Sequence, residues 1–292
     1  MGGRISIDNC YVPGLGTFVE EETTDRPQGQ RLQESDLLER RPQGENDGDP
    51  ETNAIRLVSL GCYCGVKSSF QRIGRGSEHL PFDWMRTSLR GLEHFIKTDF
   101  LGFFDFVPPA KPIKAPPGKN MRMVLYRNFE HSFWHDDPTD PSMQEKYHRR
   151  IERFRSIDAH DSRVLFVRAA VHPGEIDESP AFLSLLQQRF GPQSCLLLIL
   201  LRQTRLKGPA QILGLPNLLV WYHDTEGQPA AASFTDAVQG GLNWCAGRET
   251  LTMKLKSPQE AIAWADHYAA IYAYGHYVFQ GLGVDGMPPK VG

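Results

Sequence analysis

Between residues 141 and 222 the chain alternates short apolar runs with helix-periodic segments, and this alternation constrains the fold more than any other feature of the sequence. Val164 to Ala169, Cys195 to Leu201 and Leu218 to Tyr222 are nearly continuous apolar stretches, without the in-and-out pattern of a strand that has one face in water. Strands of this kind belong in a sheet covered on both faces, which points to parallel pairing with helices on either side. The intervening segments supply the helices. Pro141 to Asp158 spaces Met143, Tyr147, Ile151 and Phe154 by four, four and three residues, and Ser179-Pro180 opens a second helix that Gly191-Pro192 stops after Phe190. The expectation is a three-layer α/β domain with a mainly parallel central sheet.

The flanking regions read less evenly. Ile55 to Leu60 is a strand, and Gly65 to about Ile73 is a helix. Leu89, Leu92, Phe95 and Ile96 share a helix face, and Met121 to Tyr126 is a strand. The aromatic run Asp99 to Phe106 reads as packing under a loop, and the proline-rich stretch 107–119 reads as a loop. Residues 223–256 show no clean period. Ser257-Pro258 then starts a helix expected to run to about Tyr277.

Residues 20–52 carry a net charge of −7 within a chain of −3, with Leu32, Leu37 and Leu38 as their only large apolar groups. Such a segment cannot bury enough surface to offset chain entropy, so residues 1–52 are expected to be a disordered acidic segment preceding a single domain over 53–292. The remainder, at about +4, is too mildly basic to argue for nucleic acid. No apolar run approaches the ~18 residues of a membrane span. Five cysteines without a regular framework read as reduced thiols in a cytoplasmic protein. The opening Met1-Gly2-Gly3-Arg4-Ile5-Ser6 fits the pattern for myristoylation at Gly2, with Cys10 available for a second acyl group. One chain alone would give a weak membrane anchor.

The chemistry concentrates between residues 55 and 84. A strand breaks at Gly61, Cys62 and Cys64 follow, and a helix begins near Gly65. The positive end of a helix dipole stabilises a thiolate, and glycines at 61 and 65 allow a sharp turn with room for a substrate beside the sulfur. Cys64, at the helix start, is the stronger nucleophile candidate. Ser77 to Trp84 places His79, Pro81, Phe82, Asp83 and Trp84 in a segment without periodicity, suited to a loop at the mouth of a site. His79 is a candidate base. Asp83, set between aromatics, either orients an imidazole or caps backbone amides, since a lone buried carboxylate is too costly.

Ser59-Leu60-Gly61, Cys64, Ser77 and Pro81-Phe82-Asp83-Trp84 resemble, in order, a domain family of unknown function labelled papain-like cysteine peptidases. Phe133-Trp134-His135-Asp136 resembles that family's aromatic-x-His-Asp element, Tyr147 to Ile151 its Tyr-x-Arg-Arg-Ile helix, and Leu165 to Arg168 its strand ending in Arg. The resemblance spans about residues 55–202 and implies Cys64 as nucleophile, with His135 as its base beside Asp136. Asp137 stands where the family commonly has Phe. The label implies a papain-like pairing of a helical lobe with an antiparallel barrel, whereas the strand pattern predicts a parallel sheet.

Arg168, ending a strand, stands where ligands sit in open α/β sheets; anion binding and an ion pair with a nearby acid are both open to it. Ser59, Gly61 and Trp84 complete the candidate substrate contacts. Cys62-x-Cys64 lacks the second ligand pair a zinc site needs, and the sequence contains no Walker A loop, dinucleotide fingerprint, His-Glu-x-x-His or Gly-x-Ser-x-Gly elbow, so no metal or cofactor is implied. The readings are a thiol hydrolase acting on a peptide or small acyl substrate, an SGNH-like acyltransferase or esterase with Cys in place of Ser, or a binding domain with a structural Cys64. The second lacks its usual Asp-x-x-His pair, which occurs nowhere in the chain.

Overall fold

The computed structural model describes residues 49–62, 65–106, 111–113, 123–127, 131–133, 136–170, 172–224, 234–248 and 253–266. The acidic segment up to residue 48, with Gly2 and Cys10, lies outside the described residues, as does everything beyond residue 266. The described chain starts with a single helical turn, α1 (Pro50–Asn53), capped by the Asp49 carboxylate on the Thr52 N–H.

Among the described residues, six strands form the main sheet. They are β1 (Arg56–Ser59), β6 (Val164–Ala169), β7 (Ser194–Leu200), β9 (Leu218–Tyr222), β8 (Gly208–Ile212) and β10 (Met253–Leu255), in that spatial order. Every pairing is parallel except β8 with β9. The expected α/β architecture is present, and the barrel implied by the papain label is not what the apolar runs build. The reason is in the side chains. Both faces of β6 and β7 are buried, so Val164, Phe166, Leu196 and Leu198 face one helical layer while Leu165, Val167, Leu197 and Ile199 face the other. The first layer holds α3 (Leu89–Lys97), α4 (Pro141–Arg155), α5 (Glu175–Phe190) and α7 (Pro258–Trp264); the second holds α2 (Gly65–Arg72) and α6 (Thr235–Cys245).

A smaller antiparallel sheet, ordered β2 (Met85–Thr87), β5 (His131–Phe133), β4 (Met123–Arg127) and β3 (Lys111–Ile113), sits within the long excursion between β1 and β6. Met85 and Phe133 join the same core as α3 and α4. The aromatic run packs as expected: the Phe82 ring lies 5.6 Å from Phe100, 6.3 Å from Phe103 and 5.3 Å from Phe154. Among those rings, the buried His131 shares a 2.5 Å hydrogen bond with the Phe103 carbonyl.

Several boundaries differ from the sequence reading. α5 begins at Glu175 rather than at Ser179, so Pro180 lies inside the helix. Proline cannot donate to the carbonyl one turn back, and the Ser179 hydroxyl donates to that Ile176 oxygen instead, at 2.8 Å. Within the stretch read as a loop, Lys111–Ile113 is a strand paired with β4. α7 stops at Trp264, because Ala265 has extended backbone and the Asp266 carboxylate is held by Thr204 and Arg205; the rest of the helix expected to about Tyr277 lies outside the described residues from residue 267 onward.

Candidate functional site

The site is built where β1 ends. Gly61 has a φ of +66° and Cys62 one of +61°, so the chain reverses through two left-handed residues before α2 begins. The turn is fixed from both sides. Leu60 N–H donates to the Val167 carbonyl at 2.8 Å, Ala169 N–H donates to the Gly61 carbonyl at 3.2 Å, and the Ser59 hydroxyl oxygen accepts from Gly61 N–H at 3.3 Å. A Cβ on Gly61 would lie 2.7 Å from the Phe82 carbonyl oxygen, so the loop carrying Phe82, Asp83 and Trp84 rests directly on this turn. Gly61→Ala is therefore expected to cost about 2 kcal/mol, from the left-handed backbone and the close approach together. The urea midpoint measures it, and a loss under about 0.5 kcal/mol would mean that the turn yields freely.

The thiol of Cys62 lies inside the apolar core. It is buried, and desolvation pushes its thiol up to about 11, against the opposing pull of Arg168 and Arg86. Cys64 and His135 lie outside the described residues, but the residues next to each are described, namely Gly65 at the start of α2 and Asp136. Each neighbour stands beside a polar cluster. Lys67, in the first turn of α2, is buried; its ammonium sits 3.0 Å from Asp83 Oδ2 and also donates to the Glu78 carbonyl. The same Asp83 oxygen accepts from Leu80 N–H at 2.9 Å and lies 3.9 Å from His79 Nδ1. Asp83 thus caps its own loop, anchors Lys67 and faces His79. Burial raises its carboxyl above the ordinary 3.8, with Lys67 pulling the other way.

On the far side of the network, α4 presents Lys146, Tyr147, Arg150 and Arg153. Asp136 is held there by Lys146 at 2.5 Å and by the Tyr147 hydroxyl at 2.9 Å, while Arg153 donates to the His79 carbonyl at 3.0 Å. Arg150 stacks on the Tyr147 ring at 4.7 Å. The cations exceed the carboxylates. Burial, then Lys67 and the three cations of α4, depress the His79 imidazole to about 4, so it is neutral at pH 7 and a weak base.

Arg168 is engaged elsewhere. Its guanidinium grips Glu175 with two bonds of 2.6 Å and donates to the carbonyls of Leu60 at 3.3 Å and Thr87 at 3.0 Å. The ion pair weighed against anion binding is present, and it braces the turn after β1 from beneath. Trp84 is partly buried against α2 and α6. The structure therefore brings Ser59, Gly61, His79, Asp83 and Asp136 into one region with Arg168 under it. Lys67 and Arg150 were missed by sequence reasoning. The signal for Lys67 was a lysine one turn after the cysteine, on a helix face otherwise occupied by Val66 and Phe70; Arg150 stood in the quoted helix motif without a role.

The fold and site define an α/β protein with a left-handed turn at the carboxyl end of an edge strand and a cation-rich network beside it. A family match over residues 55–203, half of the chain, places it: the chain belongs to the family described as "Putative papain-like cysteine peptidase". An uncharacterized protein of Acanthamoeba polyphaga mimivirus is 26% identical over 147 residues, covering 43% of this chain and 66% of that protein. The match thus spans about two thirds of that relative's length. No solved structure matches. Among the described residues, no helix is long and apolar enough to cross a membrane.

Proposed function

We propose that the chain is a thiol-dependent hydrolase of acyl or peptide bonds, with Cys64 as nucleophile and His135 as general base. The thiolate attacks the carbonyl carbon, a backbone N–H near Cys64 stabilises the oxyanion, and the C–N bond breaks as the leaving amine takes the proton from His135. His135 then takes a proton from water, which attacks the thioester and frees the thiol and the acid.

The observation that carries this reading is that cations flanking both residues act on one imidazole: Lys67, three residues after Cys64, binds Asp83, Lys146 of α4 holds Asp136, next to His135, and both lysines act on His79. Family membership supports the general kind. Cations near the start of α2 favour a thiolate, and the burial of Cys62 leaves Cys64 as the reactive partner of the pair. His135 stands ahead of His79 because an imidazole held near 4 accepts a proton poorly at neutral pH. The parallel sheet favours one second reading over the papain comparison, an SGNH-like acyltransferase or esterase built on the same Cys64. Gly2 acylation would add a weak membrane tether to either.

The pH dependence of Cys64 alkylation by iodoacetamide tests the assignment. An apparent thiol pKa well below the ~8.5 of free cysteine is expected, returning toward that value in His135→Ala and unmoved in His79→Ala. An ordinary thiol in the parent chain, indifferent to both substitutions, would refute the catalytic reading in favour of a binding domain with a structural Cys64.

A further inference from the structure

We propose that the Arg150 guanidinium is an oxyanion-binding subsite, taking a carboxylate or phosphoryl group of the molecule that enters beside His79. It deepens the functional reading above by naming a substrate feature, and rests on that reading only for the identity of the site.

Arg150 is 8% exposed, and its Nη1 is a buried donor with no acceptor among the described residues. A guanidinium is charged at every accessible pH, so it cannot escape this cost by losing a proton. Neither carboxylate of the network hydrogen-bonds that nitrogen, although Arg150 and Asp83 attract each other through space. Asp136 is spent on Tyr147 and Lys146, and Asp83 Oδ2 on Lys67 and the Leu80 N–H. The guanidinium carbon lies over the Tyr147 ring, 4.7 Å from its centroid, and this cation–π contact holds the side chain beside the network before any ligand arrives. Four cations, Lys67, Lys146, Arg150 and Arg153, act together on His79. This excess favours an anion over a neutral guest. The side chain of His79 is 40% exposed while its buried Nδ1 has no hydrogen-bond partner among the described residues, which marks the side from which a ligand meets the cluster. Asp83 Oδ1 is likewise a buried acceptor with no hydrogen-bond donor among the described residues. Its presence favours an oxyanion that brings a hydrogen-bond donor with it, as the carboxylate and amide N–H of a peptide C-terminus do, or the oxygens and O–H of hydrogen phosphate.

The test is thermal denaturation of the Cys64→Ser chain with N-acetylglycine, hydrogen phosphate, acetate and chloride, each at ~10–50 mM so that weak binding registers by mass action. N-acetylglycine or phosphate is expected to raise the melting temperature, with affinity reduced roughly tenfold or more in Arg150→Met, as the loss of a charge-assisted bidentate contact requires. Response to N-acetylglycine alone assigns a peptide or acylamino-acid terminus, and response to phosphate alone assigns a phosphoryl group; either supports the subsite. No oxyanion acting beyond chloride, or an undiminished effect in Arg150→Met, overturns it. Should Arg150→Met fail to fold, the His79 ring resonances of the parent decide: a bound anion beside them must shift the imidazole signals, and unmoved signals overturn the proposal. Because the Cys64→Ser chain has no thiol at that position, these outcomes are independent of the alkylation result.

Discussion

Arg168→Met is expected to destabilise the fold by about 3–5 kcal/mol, the cost of breaking a buried ion pair from one side. The guanidinium is fully buried and the Glu175 side chain is 3% exposed. Methionine leaves that carboxylate in the interior without a counter-ion and takes a donor from the carbonyls of Leu60 and Thr87. Urea unfolding measures the loss. The double variant Arg168→Met/Glu175→Leu should recover most of it, since an apolar pair of similar volume avoids desolvating two charges. If the single variant unfolds within about 1 kcal/mol of the parent, the pair is not a brace, and the anion-binding role for Arg168 regains its place.

Lys67→Met is the second large effect, and its signature is its pH dependence. Removing the ammonium 3.0 Å from Asp83 leaves a fully buried carboxyl with the Leu80 N–H as its hydrogen-bond donor and Arg150 as a weaker remaining cation. Burial already raises this carboxyl above 3.8, and loss of the lysine raises it further. Across the window from 3.8 up to the folded value, the native state keeps a proton that the unfolded chain has released, so the variant's stability falls as pH rises. The deficit relative to the parent is therefore small near pH 4 and reaches about 3–5 kcal/mol at pH 7. Adding Asp83→Asn, which keeps an oxygen for the Leu80 N–H and removes the charge, should flatten the profile. A deficit equal at both pH values would place the role of Lys67 in packing alone.

What was legible in the sequence is what local pattern encodes. β6, β7 and β9 are doubly buried strands, and only long apolar runs survive there; α3 and α4 carry a full apolar face at helical spacing. β8 escaped because Gly208-Pro209-Ala210-Gln211-Ile212 pairs antiparallel and stays partly exposed, so it needs little hydrophobicity. α6 escaped for a tertiary reason. Gly240 and Gly241 depress its helix propensity, yet a Cβ on Gly240 would lie 2.3 Å from the rigid Trp221 ring, so the packing of α6 on the sheet demands glycine there. Pro180 was read as a helix start because the Ser179 hydroxyl that accommodates it within α5 is visible only in three dimensions. In the site, Asp83 and His79 stood out by residue type. Their partners did not, because Lys67 and Arg150 are joined to them only by the folding of α2 and α4 around the loop.

The main sheet also sets an order of events. β6 and β7 are joined by α5 alone, whereas Arg56 of β1 pairs with Val164, more than a hundred residues later. Closing so long a loop must precede the contacts that reward it, which makes this pairing slow relative to the neighbouring strands. The turn at Gly61 takes its hydrogen bonds from Val167 and Ala169, so it has no template until β6 exists. On a ribosome, the segment bearing the motif residues emerges early and waits, unshaped, for a strand that has yet to be translated.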